Sequence, residues 1–365
     1  MTSGLYIHIP FCQAKCDYCD FLSFSSGDHS QWVAYCDALI AELARYTPSL
    51  PIDSIYIGGG TPTVWPEQLL YKLLSSLPPT IPGAEITCEA NPGTLSRSKI
   101  ATLAQGGVNR ISLGLQAWQP CLLEAIGRHS STDSFLENYH ELRAAGFDNI
   151  SVDVMFALPG QNLAQWQECL KNLCALSPEH ISAYALSLEE GTALWQRCPE
   201  PCDEETDRQM YHHCKTFLRR HGYRQYEISN FSKPGYESRH NLRYWTRKPY
   251  TGFGLGAHSF EGEIRSHNTS DLSEYIRQSS NIRQGHSHIT PAEAMSEHMF
   301  LGLRLNEGIS ISGFTEKFQI SPQDAYGPWL SRMKKEGLIC EEGGYIFLSE
   351  LGMDLANRVM VGFLE

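Results

Sequence analysis

The chain has 365 residues, 42% of them hydrophobic, enough to bury one large domain with a smaller one attached and too apolar to stay disordered. Its 29 Lys and Arg against 41 Asp and Glu leave a formal charge of −12, which argues against nucleic-acid binding by phosphate neutralisation. It shows neither an eighteen-residue apolar run nor a leader-like start, so no membrane span is expected, and a reducing cytoplasm is, where the 12 cysteines stay thiols or hold metal.

The first predicted strand is LYIHIP (5–10). Directly after it come Cys12, Cys16 and Cys19, spaced Cys-x3-Cys-x2-Cys, and then Phe21 where a fourth cysteine would be easy to place. QWVAYCDALIAELARY follows as a helix, with Val33, Cys36, Leu39, Ile40 and Leu43 on one face. Strands SIYIGG (54–59), EITCEA (85–90), RISLGL (110–115), ISVDVM (150–155) and ISAYAL (181–186) alternate with the helical patterns EQLLYKLLSSL, SKIATLAQ, SFLENYHELRAAG and LAQWQECLKNLCAL. The helices are expected to end at glycines such as Gly106 and Gly146. Strand alternating with helix predicts parallel strands with right-handed crossovers. Six units fit an α/β fold with a partial (β/α)6 barrel better than a closed eightfold one, with a doubly wound sheet as the alternative. Either way the chemistry belongs at the C-terminal ends of the strands. There stand the cysteines, GGGTPT (58–63), Glu89, Gln116, Asp153 and the LPGQ turn.

The one basic run, RRHGYR (219–224), reads as a solvated helix end. Past residue 230 the texture changes to HNLRYW and the glycine-rich GFGLGAHSF. In the last stretch DAYGPWLSRMKKEG reads as a helix, and LICEEGGYIFLS as a hairpin turning at Gly343 and Gly344. Helices with a hairpin wing are winged-helix-like and, in an acidic chain, suit packing or partner docking. The expected division is a barrel at 1–230, a connecting region with helices at 231–309 and the winged-helix-like unit at 310–365.

Three thiolates in one loop have two uses. Structural zinc wants four ligands, and His8 is the near candidate for the fourth. A four-iron cluster held by three thiolates leaves one iron open to a substrate or cofactor, and the spacing favours this. The glycine triplet lacks the GxGxxG order of a dinucleotide site and the lysine of a P-loop, but lets a small cofactor's amino or carboxylate end approach the backbone.

Cys-x3-Cys-x2-Cys with an aromatic before the last cysteine resembles the radical S-adenosylmethionine (SAM) superfamily. YIHIPFC, GGGTPT, the Glu89 turn, SLGLQ, IGRxH and DVMFALPGQ resemble, over nearly the whole chain, its oxygen-independent coproporphyrinogen III oxidase family. The resemblance implies a partial (β/α)6 barrel and a [4Fe-4S] cluster on Cys12, Cys16 and Cys19, with the open iron chelating SAM. It implies that Tyr18 flanks the adenine and Ala185 lines its pocket, that Tyr6 stands near the cofactor, and that Gly59, Gly60 and Thr61 hold the methionine end. Glu89, Gln116, Arg128 and Asp153 are the further polar contacts it implies.

In the decarboxylating oxidases of that family a cysteine stands two positions after the third ligand, where this chain has Phe21. The subgroup without it is assigned to haem trafficking, and its second mark, HNxxYW, is His240 to Trp245 here. The expectation is thus a chaperone that binds cluster, SAM and haem and passes haem to an acceptor protein. If that acceptor is a membrane haem protein, the contact is peripheral. His240 is the first candidate for the iron, with Tyr244 and Trp245 stacking on the porphyrin; His258 in GAHSF is the second and Cys198 before Pro199 the third. The alternatives are the oxidase itself, disfavoured by Phe21, and a structural zinc protein.

Overall fold

The computed structural model describes residues 1–25, 28–277 and 282–364. Six strands run parallel in chain order: β1 (Ser3–Ile9), β2 (Ile52–Gly59), β3 (Glu85–Ala90), β4 (Arg110–Gln116), β5 (Ile150–Phe156) and β6 (His180–Ala185). The order 1-2-3-4-5-6 never reverses, so the sheet is singly wound and curls as a partial barrel; a doubly wound sheet would show a switch in direction. Helices cover its outside. That at His29–Ala44 buries Cys36, Leu39 and Leu43 against the strands, as its period predicts.

The barrel does not close. At one edge β6 pairs antiparallel with β8 (Asn230–Ser232), which pairs with β7 (Arg224–Glu227). At the other, β1 pairs in parallel with β9 (Tyr250–Phe253), and β10 (His258–Glu261), β11 (Ile264–Asn268) and β12 (Arg283–His288) extend the sheet beyond it. Residues 231–309, expected as a connecting region, therefore contribute strands to the main sheet. RRHGYR lies where the helix Glu204–Arg220 ends. One detail differs at Gly106: its φ is −76°, and the next residue, Gly107 at +85°, takes the left-handed position after the helix.

Beyond residue 290 a second apolar core forms around Leu303, Phe314, Leu330 and Ile346. Helices Pro291–Gly302, Ile311–Phe318 and Pro322–Lys335 pack there with the hairpin of β14 (Ile339–Glu342) and β15 (Tyr345–Leu348), to which β13 (Ile309–Ser310) adds an edge. Gly343 and Gly344 both take positive φ, as a two-residue hairpin turn requires.

The inside of the barrel is polar. Tyr6, Ser54, Tyr56, Glu89, Arg110, Ser112 and Asp153 fall on alternate strand positions and point inward, while their apolar neighbours face the helices. Its bottom is plugged by the helix Arg239–Trp245. Glu85, at the start of β3, accepts from the Arg239 and His240 N–H groups at 3.1 Å each, so its carboxylate sits on the helix N-terminus.

Candidate functional site: one rim cavity with a cysteine loop

The cysteine loop is shaped by its backbone. Cys12 N–H donates to Phe24 O at 2.9 Å, and Phe24 N–H to Pro10 O at 2.7 Å. Asp17 N–H donates to Ile126 O at 3.1 Å, Leu194 N–H to Asp17 O at 2.7 Å, and Arg197 pairs with the Asp17 carboxylate at 2.9 Å. Gly127, at φ +65°, makes the room: a Cβ there would fall 2.3 Å from Asp17.

His8 closes the far side of the loop, with Nε2 2.8 Å from Leu22 O and Nδ1 2.9 Å from the Tyr6 hydroxyl. Both ring nitrogens are thus engaged, and the zinc alternative loses its candidate fourth ligand. Among the described residues, no three His, Cys, Asp or Glu side chains converge tightly enough to hold one ion. The Thr61 hydroxyl lies 3.7 Å from Cys12 Sγ and Arg128 Nη1 3.6 Å from Cys16 Sγ, donors that favour thiolates.

Next to the loop lies a cavity of about 300 Å³. Cys12, Cys16, Cys19, Tyr18, Gly59, Gly60, Thr61, Glu89, Gln116, Arg128, Asp153 and Ala185 all line it. Tyr6, expected near the cofactor, lines a neighbouring cavity instead.

Each wall has its own local cause. Gly59 takes φ +109°, and a Cβ on Gly60 would fall 2.6 Å from Phe11 O, so the turn after β2 is pressed against the cysteine loop. Its N–H groups are taken: Gly59 donates to Glu89 at 3.1 Å, Gly60 to Ile9 O at 2.8 Å and Thr61 to Phe11 O at 2.7 Å. The turn can therefore meet a cofactor's ammonium with carbonyl oxygens but has no N–H for its carboxylate, which narrows the expectation for the triplet. Arg128 is fixed by bonds to Asn91 and Gly114 O, both 2.7 Å. Asp153 accepts from Ser112 at 2.9 Å, and Glu89 from Tyr56 at 2.7 Å.

Burial, helped by nearby Asp153, pushes Glu89 up to about 7, against the hydrogen bond from Tyr56. Sequence reasoning missed Arg110, one turn of the strand pattern below. It is 1% exposed, makes no ion pair among the described residues, and its Nε has no hydrogen-bond partner there. Its charge acts on both carboxylates. Gln116 is the strained member: φ +71° in a non-glycine residue, with Oε1 buried and unpartnered. Gln116→Gly is expected to raise stability by about 1 kcal/mol, which thermal melts would show.

The haem candidates separate. His240 is 1% exposed, with Nδ1 3.1 Å from Ser54 Oγ and Nε2 2.9 Å from the Tyr244 hydroxyl. Burial and the Arg243 and Arg110 charges push it down to about 3, so it is neutral, and hydroxyls occupy both nitrogens. As placed here, His240 has no nitrogen free for an iron, and it plugs the barrel bottom. Trp245 is also turned away, stacked against Arg304 with 4.3 Å from the guanidinium to the ring centre. Tyr244 does reach the second cavity, of about 470 Å³, as does the exposed His258. Cys198 is exposed, at φ +45°, in the loop that packs on Asp17.

Residues 6–173 match the Radical SAM superfamily and 289–355 the HemN C-terminal domain. A solved structure titled "Coproporphyrinogen III oxidase (HemN) from Escherichia coli is a Radical SAM enzyme" superposes with a TM-score of 0.88 over 99% of this chain and 90% of that one. At 21% identity it shares the fold alone. Barrel, cysteine loop and matched domains make the chain a radical SAM protein. Among curated proteins, "Heme chaperone HemW" of Bacillus subtilis is 38% identical over 98% of both chains, and that of Lactococcus lactis 34% identical over 99% of this chain and 97% of its own. "Radical S-adenosyl methionine domain-containing protein 1, mitochondrial" of Bos taurus is 31% identical over 98% of this chain and 88% of its own. The chain belongs to the HemW haem-chaperone family.

Proposed function

We propose that the chain is a haem chaperone that holds a [4Fe-4S] cluster on Cys12, Cys16 and Cys19, binds SAM beside it, binds haem, and passes haem to an acceptor protein. The observation that carries this reading is the single cavity lined by the three cysteines and by every residue named for SAM except Tyr6. When bound, the cluster supplies an open iron for SAM's amino and carboxylate groups and an electron source. The chain's own residues do the rest. Carbonyls of the Gly59–Thr61 turn would accept from the amino N–H groups, and Arg128 and Gln116 offer donors. Glu89 and Asp153 set a negative field for the sulfonium, and Tyr18 and Ala185 border the adenine. Among the described residues no helix is long and apolar enough to cross a membrane, so contact with a membrane-bound acceptor would be peripheral.

Phe21 separates this reading from the oxidase: it lines the cavity and is 64% exposed, and an aromatic ring has no acid–base or redox chemistry to replace a thiol. The test is anaerobic reconstitution followed by iron and acid-labile sulfide counts, haem titration, and an assay with coproporphyrinogen III. Four irons per chain with saturable haem binding and no vinyl product are expected. Protoporphyrinogen formation would return the oxidase reading, and zinc without sulfide the structural one. Cys16→Ala is expected to lose the cluster's visible absorption entirely.

A further inference from the structure

The 470 Å³ cavity stands beside the cofactor seat and shares Asp20, Phe21, Gly59 and Glu89 with it, so one thickness of side chain separates the two. Tyr244 and Tyr250, packed edge to face with centres 4.7 Å apart, form its aromatic wall. Leu22, Gly256 and Ala257 leave a smooth apolar side. At its edge stands His258. Its ring nitrogens make no hydrogen bond among the described residues, whereas His8 and His240 have both nitrogens engaged.

The backbone under His258 is fixed from several directions. Gly254 N–H donates to the buried Glu42 carboxylate at 2.9 Å, and Leu255 N–H to the Tyr35 hydroxyl at 2.9 Å. Asn268 N–H donates to Ala257 O at 2.9 Å. A Cβ on Gly252 would fall 2.2 Å from His258 O, so β9 and β10 are pressed together. A ligand histidine needs a free nitrogen on a rigid support, and His258 has both. Its neighbour His267 has its ring centre 5.3 Å away and tilted by 31°, too close for a porphyrin to pass between. His267 therefore backs His258 rather than facing it across an iron.

The geometry points to this cavity as the haem seat, with His258 as an axial ligand to the iron and Phe21 as the wall that meets the porphyrin. The inference rests on the haem-chaperone reading and names its site. An imidazole lone pair forms the bond to iron, a weakly held ligand leaves the iron, and no electron changes hands. Phe21 gains a positive role: an exposed aromatic at this point is a surface for a flat apolar ring.

The experiment titrates ferric haem into the full chain and follows the Soret band and the electron paramagnetic resonance spectrum. Wild type, His258→Ala, His267→Ala and Phe21→Ala are compared. His258→Ala is expected to weaken binding at least tenfold and to lose the imidazole signature, which added imidazole restores. Phe21→Ala should weaken binding severalfold with the iron spectrum unchanged. Phe21 and His258 line the cavity, His267 is half-buried beside His258, and circular dichroism checks that each variant is folded. Wild-type binding with an unaltered His258→Ala spectrum and affinity would overturn the assignment, as would loss of the signature in His267→Ala instead. Non-saturable binding by wild type would overturn the haem reading itself, a different result from either.

Discussion

Arg110→Met is expected to weaken SAM binding at the proposed site near pH 7 and to move its pH dependence upward. Glu89 is raised to about 7 by burial and by Asp153, while Tyr56, the Gly59 N–H and Arg110 pull it back. Two carboxylates therefore face one guanidinium. A carboxyl whose folded value lies above its unfolded one favours the fold while protonated. That contribution is full below about 4.5 and is lost as pH rises through about 7. At the proposed site a sulfonium beside Glu89 would reverse the preference, because it favours the carboxylate. Wild-type SAM affinity should therefore climb between about pH 6 and pH 8, with a proton released on binding. Without Arg110 the carboxyl holds its proton to higher pH and the climb begins later. Calorimetric titration of reconstituted protein across that range, in buffers of different ionisation heat, reads both the midpoint and the proton. Arg110→Lys should restore much of the midpoint. An unmoved midpoint in a folded Arg110→Met protein would sink the argument.

Arg243→Met is expected to cost about 3 kcal/mol of stability, measured by denaturant unfolding. The side chain of Arg243 is 2% exposed, and its guanidinium donates to Thr2 O and Pro249 O at 3.0 Å each and pairs with Asp53. Gly4 makes room for it: a Cβ there would fall 2.6 Å from Nε. One side chain thus ties the start of β1, the start of β2 and the approach to β9. The loss should be smaller for His240→Asn, which removes two hydrogen bonds to hydroxyls but no charge pair. If Arg243→Met unfolded no earlier than wild type, the plug would have no structural weight and the motif would need another explanation.

The six parallel strands could be read because their apolar residues face the helices in runs such as IYI and ISV, and the cysteine loop because thiols at that spacing have few uses. The flanking strands could not. NFS, RQYE and RQGHSH carry no apolar period: NFS covers the edge that β6 leaves, RQYE pairs with NFS in turn, and RQGHSH pairs with β11 at the far end of the run that starts on β1. Arg110 was hidden for a related reason. At the head of RISLGL it reads as a polar strand end, yet the interior of this barrel is polar, so the same alternation points it inward. For HNLRYW, a haem ligand and a buried plug demand the same residue types, and the hydrogen bonds of His240 favour the plug.

The loop that carries the three thiols owes its shape to hydrogen bonds from the amide N–H groups of Cys12, Asp17 and Phe24 and to the His8 contact with Leu22, none of which passes through sulfur. Stripping by oxygen should therefore leave an intact socket rather than a collapsed one, with slow hydrogen exchange at those amides. Such a protein survives aeration as a refillable shell, and repair needs only fresh iron, sulfide and reductant, with no refolding of the chain.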